Sequence, residues 1–137
     1  MSRTRDIVRA YHAAWTSENP AAAGEYLADG FSTRAAVGSY DTRAEYLVGL
    51  TNFRTRFVTG VDLISELFGD HEAMLLYDVH TNTPAGTLRT AEHFTLDGDK
   101  IVSTILVFDA TGWRAMMAEQ GKTVDADGHV IELRRAP

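Results

Sequence analysis

The spacing of hydrophobic residues changes once along this chain, near Gly60, and this change constrains the fold more than any other feature. Before Gly60, apolar residues recur at three- and four-residue intervals, which is typical of amphipathic helices. After Gly60, segments rich in β-branched and aromatic residues alternate with short turns, which is typical of consecutive antiparallel hairpins. Helices followed by a meander of strands predict an α+β domain, with the helices packed on one face of a strongly bent sheet.

Local patterns predict three helices before Gly60. The first begins near Thr4, and the second follows a cap at Asn19-Pro20 and is ended by Asp29-Gly30. The third begins at a capping box, in which Thr42 is the cap and Glu45 reaches back to it. The apolar faces of the first and third helices are Ile7, Tyr11, Ala14 and Trp15, and Tyr46, Leu47, Leu50 and Phe53 or Phe57, respectively.

Turn residues divide the second half of the chain into strands. The predicted strands are residues 61–68, 73–83, 87–96 and 100–108. Residues 31–37 predict one further strand, and residues 113–120 predict a last helical turn or two. Residues 1–120 are therefore expected to form a single domain, and residues 121–137 a tail that either adds a strand or lies loosely.

Composition excludes several classes of function. The 137 residues include no cysteine, which removes disulfides, thiolate metal sites and a cysteine nucleophile, and suits the cytoplasm. The net charge is −6 and the basic residues are scattered, so nucleic acid is not expected as a partner. No secretory pattern and no apolar stretch near the ~18 residues of a membrane span is present, so no membrane contact is expected. Neither a metal nor a cofactor is predicted, because metal-ligand spacings and phosphate or nucleotide motifs are lacking. A hydrophobic small molecule is the expected partner.

One carboxyl group stands in the apolar row of a predicted strand. Within residues 87–96 the even positions form the core-facing row, and Glu92 lies in its middle. Burial of a bare carboxylate costs several kcal/mol, so Glu92 must be partnered, be protonated or face a water-accessible cavity. A carboxyl in an apolar cleft has a raised pKa, which suits acid–base chemistry near neutral pH. Glu92 therefore indicates a pocket; the alternatives are a buried ion pair, a tie to a helix end, or a strand of different register.

The turn before this strand decides which residues accompany Glu92. A four-residue loop, 84–87, sets Glu92 opposite Val79. A three-residue loop instead brings Asp78 and His80 beside Glu92, which is a more reactive arrangement. The first register is favoured because it puts the apolar residues of the preceding strand into the core.

The last predicted strand is apolar on both faces. One face has Val102, Leu106 and Phe108, and the other has Ile101, Ile105 and Val107. In a sheet with helices on one face only, a second apolar face indicates either contact with another subunit or a covering C-terminal segment. We favour the first alternative and expect a homodimer through the outer face of the sheet.

Four short segments stand in the order of the predicted helices and strands: VRAYHAAW at residues 8–15, YLADGF at 26–31, EHF at 92–94 and GDKIVS at 98–103. Together they resemble the nuclear transport factor 2-like superfamily, and within it the SnoaL-like polyketide cyclase and ketosteroid isomerase branch. The resemblance covers residues 5–114 and implies a cystatin-like cone, in which the bent sheet encloses an apolar pocket. It implies no single activity, because this fold hosts isomerases, cyclases, epoxide hydrolases, dehydratases and binding modules.

The resemblance to ketosteroid isomerase extends to two site residues. That enzyme uses a tyrosine on the first helix and a protonated aspartic acid on a late strand as an oxyanion hole. Tyr11 and Glu92 stand at the matching positions, whereas the enzyme's general base, an aspartate after the second helix, corresponds to Ala35. The resemblance therefore implies the oxyanion-type pair without the base, which disfavours steroid isomerisation.

Two other activities of the superfamily, those of limonene epoxide hydrolase and of the SnoaL-like cyclases, require different sets of residues. Limonene epoxide hydrolase needs an arginine and two aspartates around a water. Asp78 and His80 fall near the first two of these positions, but Leu106 stands where the second aspartate is needed, so that activity is disfavoured. SnoaL-like cyclases use a lone acid in an apolar chamber to move a proton during aldol closure, and Glu92 suits that role.

The leading hypothesis is a cofactor-free cyclase- or isomerase-type enzyme that acts on a hydrophobic, cyclic or polyketide-like carbonyl compound. Glu92 is the expected proton-transfer acid/base or hydrogen-bond donor, and Tyr11 is expected to polarise the oxygen on which charge develops. The expected apolar wall consists of Trp15, Leu50, Phe53, Tyr77, Phe94, Leu106 and Phe108. The rival hypothesis is a non-catalytic ligand-binding or dimerisation module of the same fold, which Ala35 favours.

Overall fold

The computed structural model describes residues 3–133. The helices are α1 (Arg3–Thr16), a 3-10 helix (Pro20–Tyr26), α2 (Arg43–Arg56) and α3 (Thr111–Glu119). The strands are β1 (Leu27–Ala35), β2 (Val58–Phe68), β3 (Glu72–Thr81), β4 (Thr87–Asp97), β5 (Lys100–Val107), β6 (Lys122–Val124) and β7 (Val130–Glu132). None of the described helices is long and apolar enough to cross a membrane.

Five strands form one curved sheet in the order β1-β5-β4-β3-β2, in which β1 is parallel to β5 and the other neighbours are antiparallel. Helix α1 packs on the inner face of this sheet, because Val8, Tyr11 and Trp15 recur at helical spacing and are all buried. Helix α2 begins at the predicted cap, where Thr42 Oγ1 accepts a hydrogen bond from the Glu45 backbone N–H at 3.2 Å. The predicted α+β fold is confirmed.

The segment that follows the 3-10 helix differs from the prediction. Asp29 and Gly30 do not end a helix; they lie inside β1, which begins at Leu27. Leu27 and Phe31 are fully buried, whereas Asp29 and Gly30 are exposed. The register of β1 against β5 shifts between Leu27 and Ser32, so a bulge accommodates the residues that do not fit the ladder. Strand β1 therefore begins earlier than the strand predicted at residues 31–37.

The β3–β4 hairpin has the predicted faces in a different register. Glu92 pairs with Leu75, so the predicted pairing with Val79 is wrong. The difference is four residues, and an even shift leaves each side chain on its face of the sheet. Glu92 is therefore buried on the inner face, while Asp78 and His80 lie on the outer face and do not join it.

The turn of this hairpin occupies residues 82–85 rather than 84–87. Thr81, the residue before this turn, donates two hydrogen bonds to the Gly86 carbonyl, one from its backbone N–H at 3.2 Å and one from its hydroxyl at 2.6 Å. Gly86 has a φ of +67°, a left-handed conformation that glycine adopts without strain. The turn therefore begins two residues before Pro84, and hydrogen bonds from Thr81 to the Gly86 carbonyl close it.

A β-bulge changes the faces of β5. Val102 is the extra residue between Ile101 and Ser103 in the pairing of β5 with β4. Ile101 is consequently fully buried, and its predicted place on the outer face is wrong. Ile105 and Val107 lie beyond the bulge and are exposed, as strict alternation predicts.

Strands β6 and β7 pair with each other and form a sheet separate from the five-stranded one; residues 122–132 are called the tail hairpin below. The Gly128 carbonyl, in the turn of this hairpin, accepts hydrogen bonds from the backbone N–H groups of Gly38 and Ser39, both at 2.9 Å. Gly128 has a φ of +84°, and a Cβ there would lie 1.9 Å from the Ala35 carbonyl oxygen. This contact therefore requires glycine. Residues 134–137 of the predicted tail lie outside the described residues.

Candidate functional site

A cavity of about 370 Å³ lies between the helices and the inner face of the sheet. Eight of the predicted site residues line it: Glu92, Tyr11, Trp15, Leu50, Phe53, Tyr77, Leu106 and Phe108. Phe94 is not among the described residues that line the cavity. It is fully buried and meets the Tyr11 ring edge to face, with ring centroids 5.7 Å apart. Phe94 therefore supports Tyr11 from the core instead of forming the wall.

Glu92 is the only carboxyl group among the described residues that line the cavity, and 1% of its surface is exposed. The Tyr77 hydroxyl donates a hydrogen bond of 2.8 Å to Glu92 Oε1, whereas Oε2 has no hydrogen-bond partner within the described residues. Burial raises the pKa of Glu92 to about 7, and the hydrogen bond from Tyr77 opposes this rise. Glu92 can therefore gain and lose a proton near neutral pH.

Two further tyrosine hydroxyls meet in the same cavity. Tyr11 on α1 and Tyr46 on α2 are joined by a short hydroxyl–hydroxyl hydrogen bond, and both rings are buried. Burial raises the pKa of each hydroxyl, and the charge of Glu92 raises both pKa values further, so both hydroxyls are protonated at neutral pH. One hydroxyl donates to the other, and the accepting one keeps its own proton for a third group. The pair can therefore donate a hydrogen bond to a ligand oxygen.

Trp15 and His12 hold Tyr77 from the side of α1. Trp15 Nε1 donates a hydrogen bond to His12 Nδ1 at 3.2 Å. Burial lowers the pKa of His12 to about 4, so its ring is neutral at pH 7. The His12 ring meets the Tyr77 ring edge to face, with centroids 4.9 Å apart. Packing rather than charge therefore fixes the tyrosine that donates to Glu92.

Ala35 and Leu106 line the cavity at the two positions where the family resemblance implies an acid in other members. Thr33 of β1 also lines the cavity, and its Oγ1 accepts a hydrogen bond of 2.7 Å from Thr104 Oγ1 of β5, so this polar neighbour is neutral. Within the part of the chain that the structure describes, the cavity thus has a single acid and no second carboxyl beside it.

The C-terminal residues form one side of the cavity. The lining residues from this region are Trp113, Met116, Met117, Gln120, Lys122 and Val130. Trp113 packs edge to face against Phe53 of α2 and Phe57 directly after it, with ring centroids 5.5 and 5.3 Å apart. Helix α3 and the tail hairpin are therefore part of the site, although the sequence predicts no site residue beyond Phe108.

Neither a protein-family model nor a curated protein matches this sequence. Among solved structures, a protein from Kribbella flavida DSM 17836 has a TM-score of 0.74 at 26% identity and covers 84% of this chain and 93% of its own. A nuclear transport factor 2-like protein of unknown function from Cytophaga hutchinsonii ATCC 33406 has a TM-score of 0.70 at 22% identity, covering 80% and 93%. A steroid delta-isomerase from Pseudomonas aeruginosa has a TM-score of 0.70 at 14% identity, covering 88% and 90%. The chain has the nuclear transport factor 2-like fold.

Tyr46 is the main residue of this nuclear transport factor 2-like site that the sequence does not assign to it. The helical pattern predicts that Tyr46 lies on the packing face of α2, but predicts no role for its hydroxyl. In the structure this hydroxyl is hydrogen-bonded to the hydroxyl of Tyr11. A tyrosine at a core position is informative in itself, because a buried hydroxyl needs a hydrogen-bond partner. Arg56 and Lys122 also line the cavity, and no periodicity connects them, since one ends a helix and the other begins the tail hairpin.

Proposed function

We propose that this protein is a cofactor-free enzyme that transfers protons on a hydrophobic carbonyl compound, in a cyclase- or isomerase-type reaction. One observation carries the proposal: the cavity joins a buried acid, Glu92, whose pKa is raised to about 7, to the Tyr11–Tyr46 hydroxyl pair. A general acid–base group works best when its pKa lies near the working pH. The steroid delta-isomerase from Pseudomonas aeruginosa shares the fold, which supports this class of reaction.

In the proposed reaction, Glu92 as a carboxylate takes a proton from the carbon next to the substrate carbonyl. The C–H electron pair forms a carbon–carbon double bond, and the carbonyl π pair moves to the oxygen, giving an enolate. The Tyr11–Tyr46 pair donates a hydrogen bond to this oxygen, where the negative charge develops. Protonated Glu92 then returns the proton and is restored.

The site of reprotonation distinguishes two reactions. If the substrate has a carbon–carbon double bond next to the carbon that loses the proton, the enolate is a dienolate. Glu92 can then return the proton to the far carbon of that double bond, the double bond moves into conjugation with the carbonyl, and the reaction is an isomerisation. If the enolate carbon first attacks a second carbonyl of the same molecule, the proton goes to the new alkoxide and the reaction is an aldol closure. Ala35 favours a mechanism in which one acid serves both transfers. The apolar walls favour a cyclic or polyketide-like substrate.

A ligand-binding module is the second candidate, and Ala35 is the observation that favours it. In that case protonated Glu92 donates a hydrogen bond to a ligand oxygen, and no proton leaves carbon. The two functions therefore differ in whether the protein exchanges protons attached to carbon.

Deuterium exchange into 2-tetralone, a two-ring ketone, distinguishes them without knowledge of the natural substrate. In D₂O at pH 7 the protein is expected to speed the loss of the α-proton NMR signal relative to buffer. Glu92→Gln is expected to lower the enzymatic rate by about a hundredfold or more, as loss of a general base does. Tyr46→Phe is expected to lower it less, since Tyr11 keeps one donor. Glu18→Gln, at an exposed position, is the matched control and should change nothing. Binding of the ketone with exchange no faster than in buffer would support the binding module instead.

We also propose that the protein forms a homodimer through the outer face of the sheet. Leu67, Met74, His93 and Ile105 form one row across β2, β3, β4 and β5 on this face. The apolar members of this row are 68%, 39% and 51% exposed, and Val107 beside them is 64% exposed. This face thus has exposed apolar residues on both sides of His93, and exposed apolar surface of this kind supports a protein–protein interface.

A further inference from the structure

Two cationic side chains line the cavity at its rim. Arg56 lies in the last turn of α2, and Lys122 is the first residue of β6. Arg56 is exposed and Lys122 is half-buried, whereas Glu92 is almost fully buried. The cavity therefore has an acid at its inner end and two cations where it meets solvent. Apolar residues line the wall between them, including Phe53 and Leu106.

These two cations differ from most other cations of the described chain, because no carboxylate within residues 3–133 pairs with them. Arg9, Arg34, Arg43 and Arg89 each form an ion pair with an aspartate or a glutamate. Within residues 3–133, Arg56 and Lys122 form neither an ion pair nor a side-chain hydrogen bond. Acidic residues outnumber basic ones in this chain, with a net charge of −6, so two unmatched cations on one cavity require an explanation.

The ring contact of Arg56 leaves its hydrogen-bonding edge free within the described residues. Its guanidinium lies over the Phe57 ring, 5.3 Å from the centroid. This ring contact is not a hydrogen bond, so the N–H donors in the guanidinium plane can bind a planar carboxylate. An arginine in the last helical turn also interacts favourably with the helix dipole. That explanation covers Arg56 alone and leaves Lys122, which comes from a different element of the same cavity.

Helix α2 gives the length of a ligand that reaches both ends. Tyr46, at the hydroxyl pair, and Arg56, at the rim, are ten residues apart on this helix, which corresponds to roughly 15 Å along its axis. Tyr46 and Arg56 both line the cavity. A rigid molecule of roughly this length or somewhat less, with an oxygen at one end and an anion at the other, can therefore reach both ends.

We propose that the rim formed by Arg56 and Lys122 binds a carboxylate at the far end of the substrate. The substrate class is thus an apolar, ring-containing carbonyl compound that carries a carboxylate at the end opposite the reacting oxygen. This inference rests on the proposed function, which places the reacting oxygen of the substrate at the Tyr11–Tyr46 pair. It adds that the substrate is negatively charged and that the charge lies at the end opposite this oxygen.

A pair of matched ligands tests the inference by binding alone. The probes are 4′-hydroxybiphenyl-4-carboxylate and 4-phenylphenol, which have the same rings and the same phenolic oxygen and differ only in the carboxylate. Calorimetric titration at low salt is expected to show that the carboxylate binds about threefold to tenfold more tightly, as expected for one or two partly exposed ion pairs. The preference should decrease in 0.5 M NaCl, because salt screens such pairs.

Variants locate the preference at the rim. Arg56→Gln combined with Lys122→Gln is expected to remove it while the affinity for 4-phenylphenol stays the same, which also shows that the variant is folded. Arg114→Gln is the control, because Arg114 is an exposed cation of α3 that does not line the cavity. Equal affinity of the two probes for the native protein would overturn the inference, as would an equal effect of Arg114→Gln.

The outcome is separable from that of the ketone exchange experiment. Exchange of 2-tetralone without a carboxylate preference would overturn this inference and leave the proposed function standing. A carboxylate preference without exchange would support the rim site in a ligand-binding module.

Discussion

Glu92→Gln is expected to change how the stability of the domain depends on pH. The pKa of Glu92 is about 7 in the folded protein, against an ordinary value of 4.5 that applies to the unfolded chain. The folded state therefore holds this proton more tightly than the unfolded state does. The resulting contribution to stability is complete below pH 4.5 and is lost as the pH rises to about 7. Glutamine has a similar shape, can still accept the hydrogen bond from Tyr77 and does not titrate. The variant therefore does not lose this stability as the pH rises.

The size of the effect follows from the two pKa values. Each pH unit between 4.5 and about 7 costs the native protein about 1.4 kcal/mol relative to the variant. The full difference is about 3 kcal/mol, reached near pH 8, and it stays constant at higher pH. Between pH 4 and pH 8, the free energy of unfolding of the variant is expected to rise by this amount relative to that of the native protein. This change does not depend on the two values at pH 4.

Urea unfolding at a series of pH values, followed by tryptophan fluorescence, measures the difference. Trp15 is buried and Trp113 lines the cavity, so both report on the core that contains Glu92. The pH dependence of all other groups cancels when the variant is compared with the native protein. Glu18→Gln controls for the loss of one carboxyl group at an exposed position. A stability difference between the Glu92 variant and the native protein that is flat from pH 4 to pH 8 would refute the raised pKa and, with it, the acid–base role.

Tyr77→Phe is expected to raise the pKa of Glu92 further, because it removes the 2.8 Å hydrogen bond that stabilises the carboxylate; a carbon-13 NMR titration that finds the same or a lower pKa contradicts this. Gly128→Ala is expected to detach the tail hairpin, since the new Cβ would lie 1.9 Å from the Ala35 carbonyl oxygen. Faster hydrogen exchange of the amides bound to the residue 128 carbonyl is the readout, and native-like protection would show that the contact is dispensable. Val107→Asp puts a charge on the exposed apolar face of the sheet and is expected to give monomers in sedimentation velocity with the fold retained. A persistent dimer would place the interface elsewhere.

The burial of Glu92 could be predicted because it depends on parity alone. Side chains alternate along a strand, so the apolar neighbours of Glu92 put it on the inner face in any register shifted by an even number of residues. The actual register differs from the predicted one by four residues, with Leu75 opposite Glu92. The face was therefore correct although the pairing was not.

Other features depend on contacts that the local sequence does not show. The turn at residues 82–85 is closed by a hydrogen bond from the Thr81 hydroxyl to the Gly86 carbonyl, and the burial of Ile101 follows from one extra residue in β5. The partner of Tyr46 is on another helix, 35 residues away in the chain. Arg56 and Lys122 line the same cavity only because the tail hairpin returns to the domain. Periodicity predicts which face a residue occupies, but not which distant residue it meets there.

The C-terminal position of one cavity wall has a consequence for how such a protein can diversify. Glu92 and both hydroxyls of the Tyr11–Tyr46 pair are in place by the end of β4, whereas Trp113 and Lys122 come later in the chain. The groups proposed to transfer protons thus precede the C-terminal part of the wall in the sequence, although Arg56 and the wall residues of α1 and α2 precede it as well. Exchanging the residues after 110 between homologous chains therefore offers a way to alter which molecules enter while the reacting groups stay constant. A set of such chimeras would show whether the entrance can be changed around one buried acid and one hydroxyl pair.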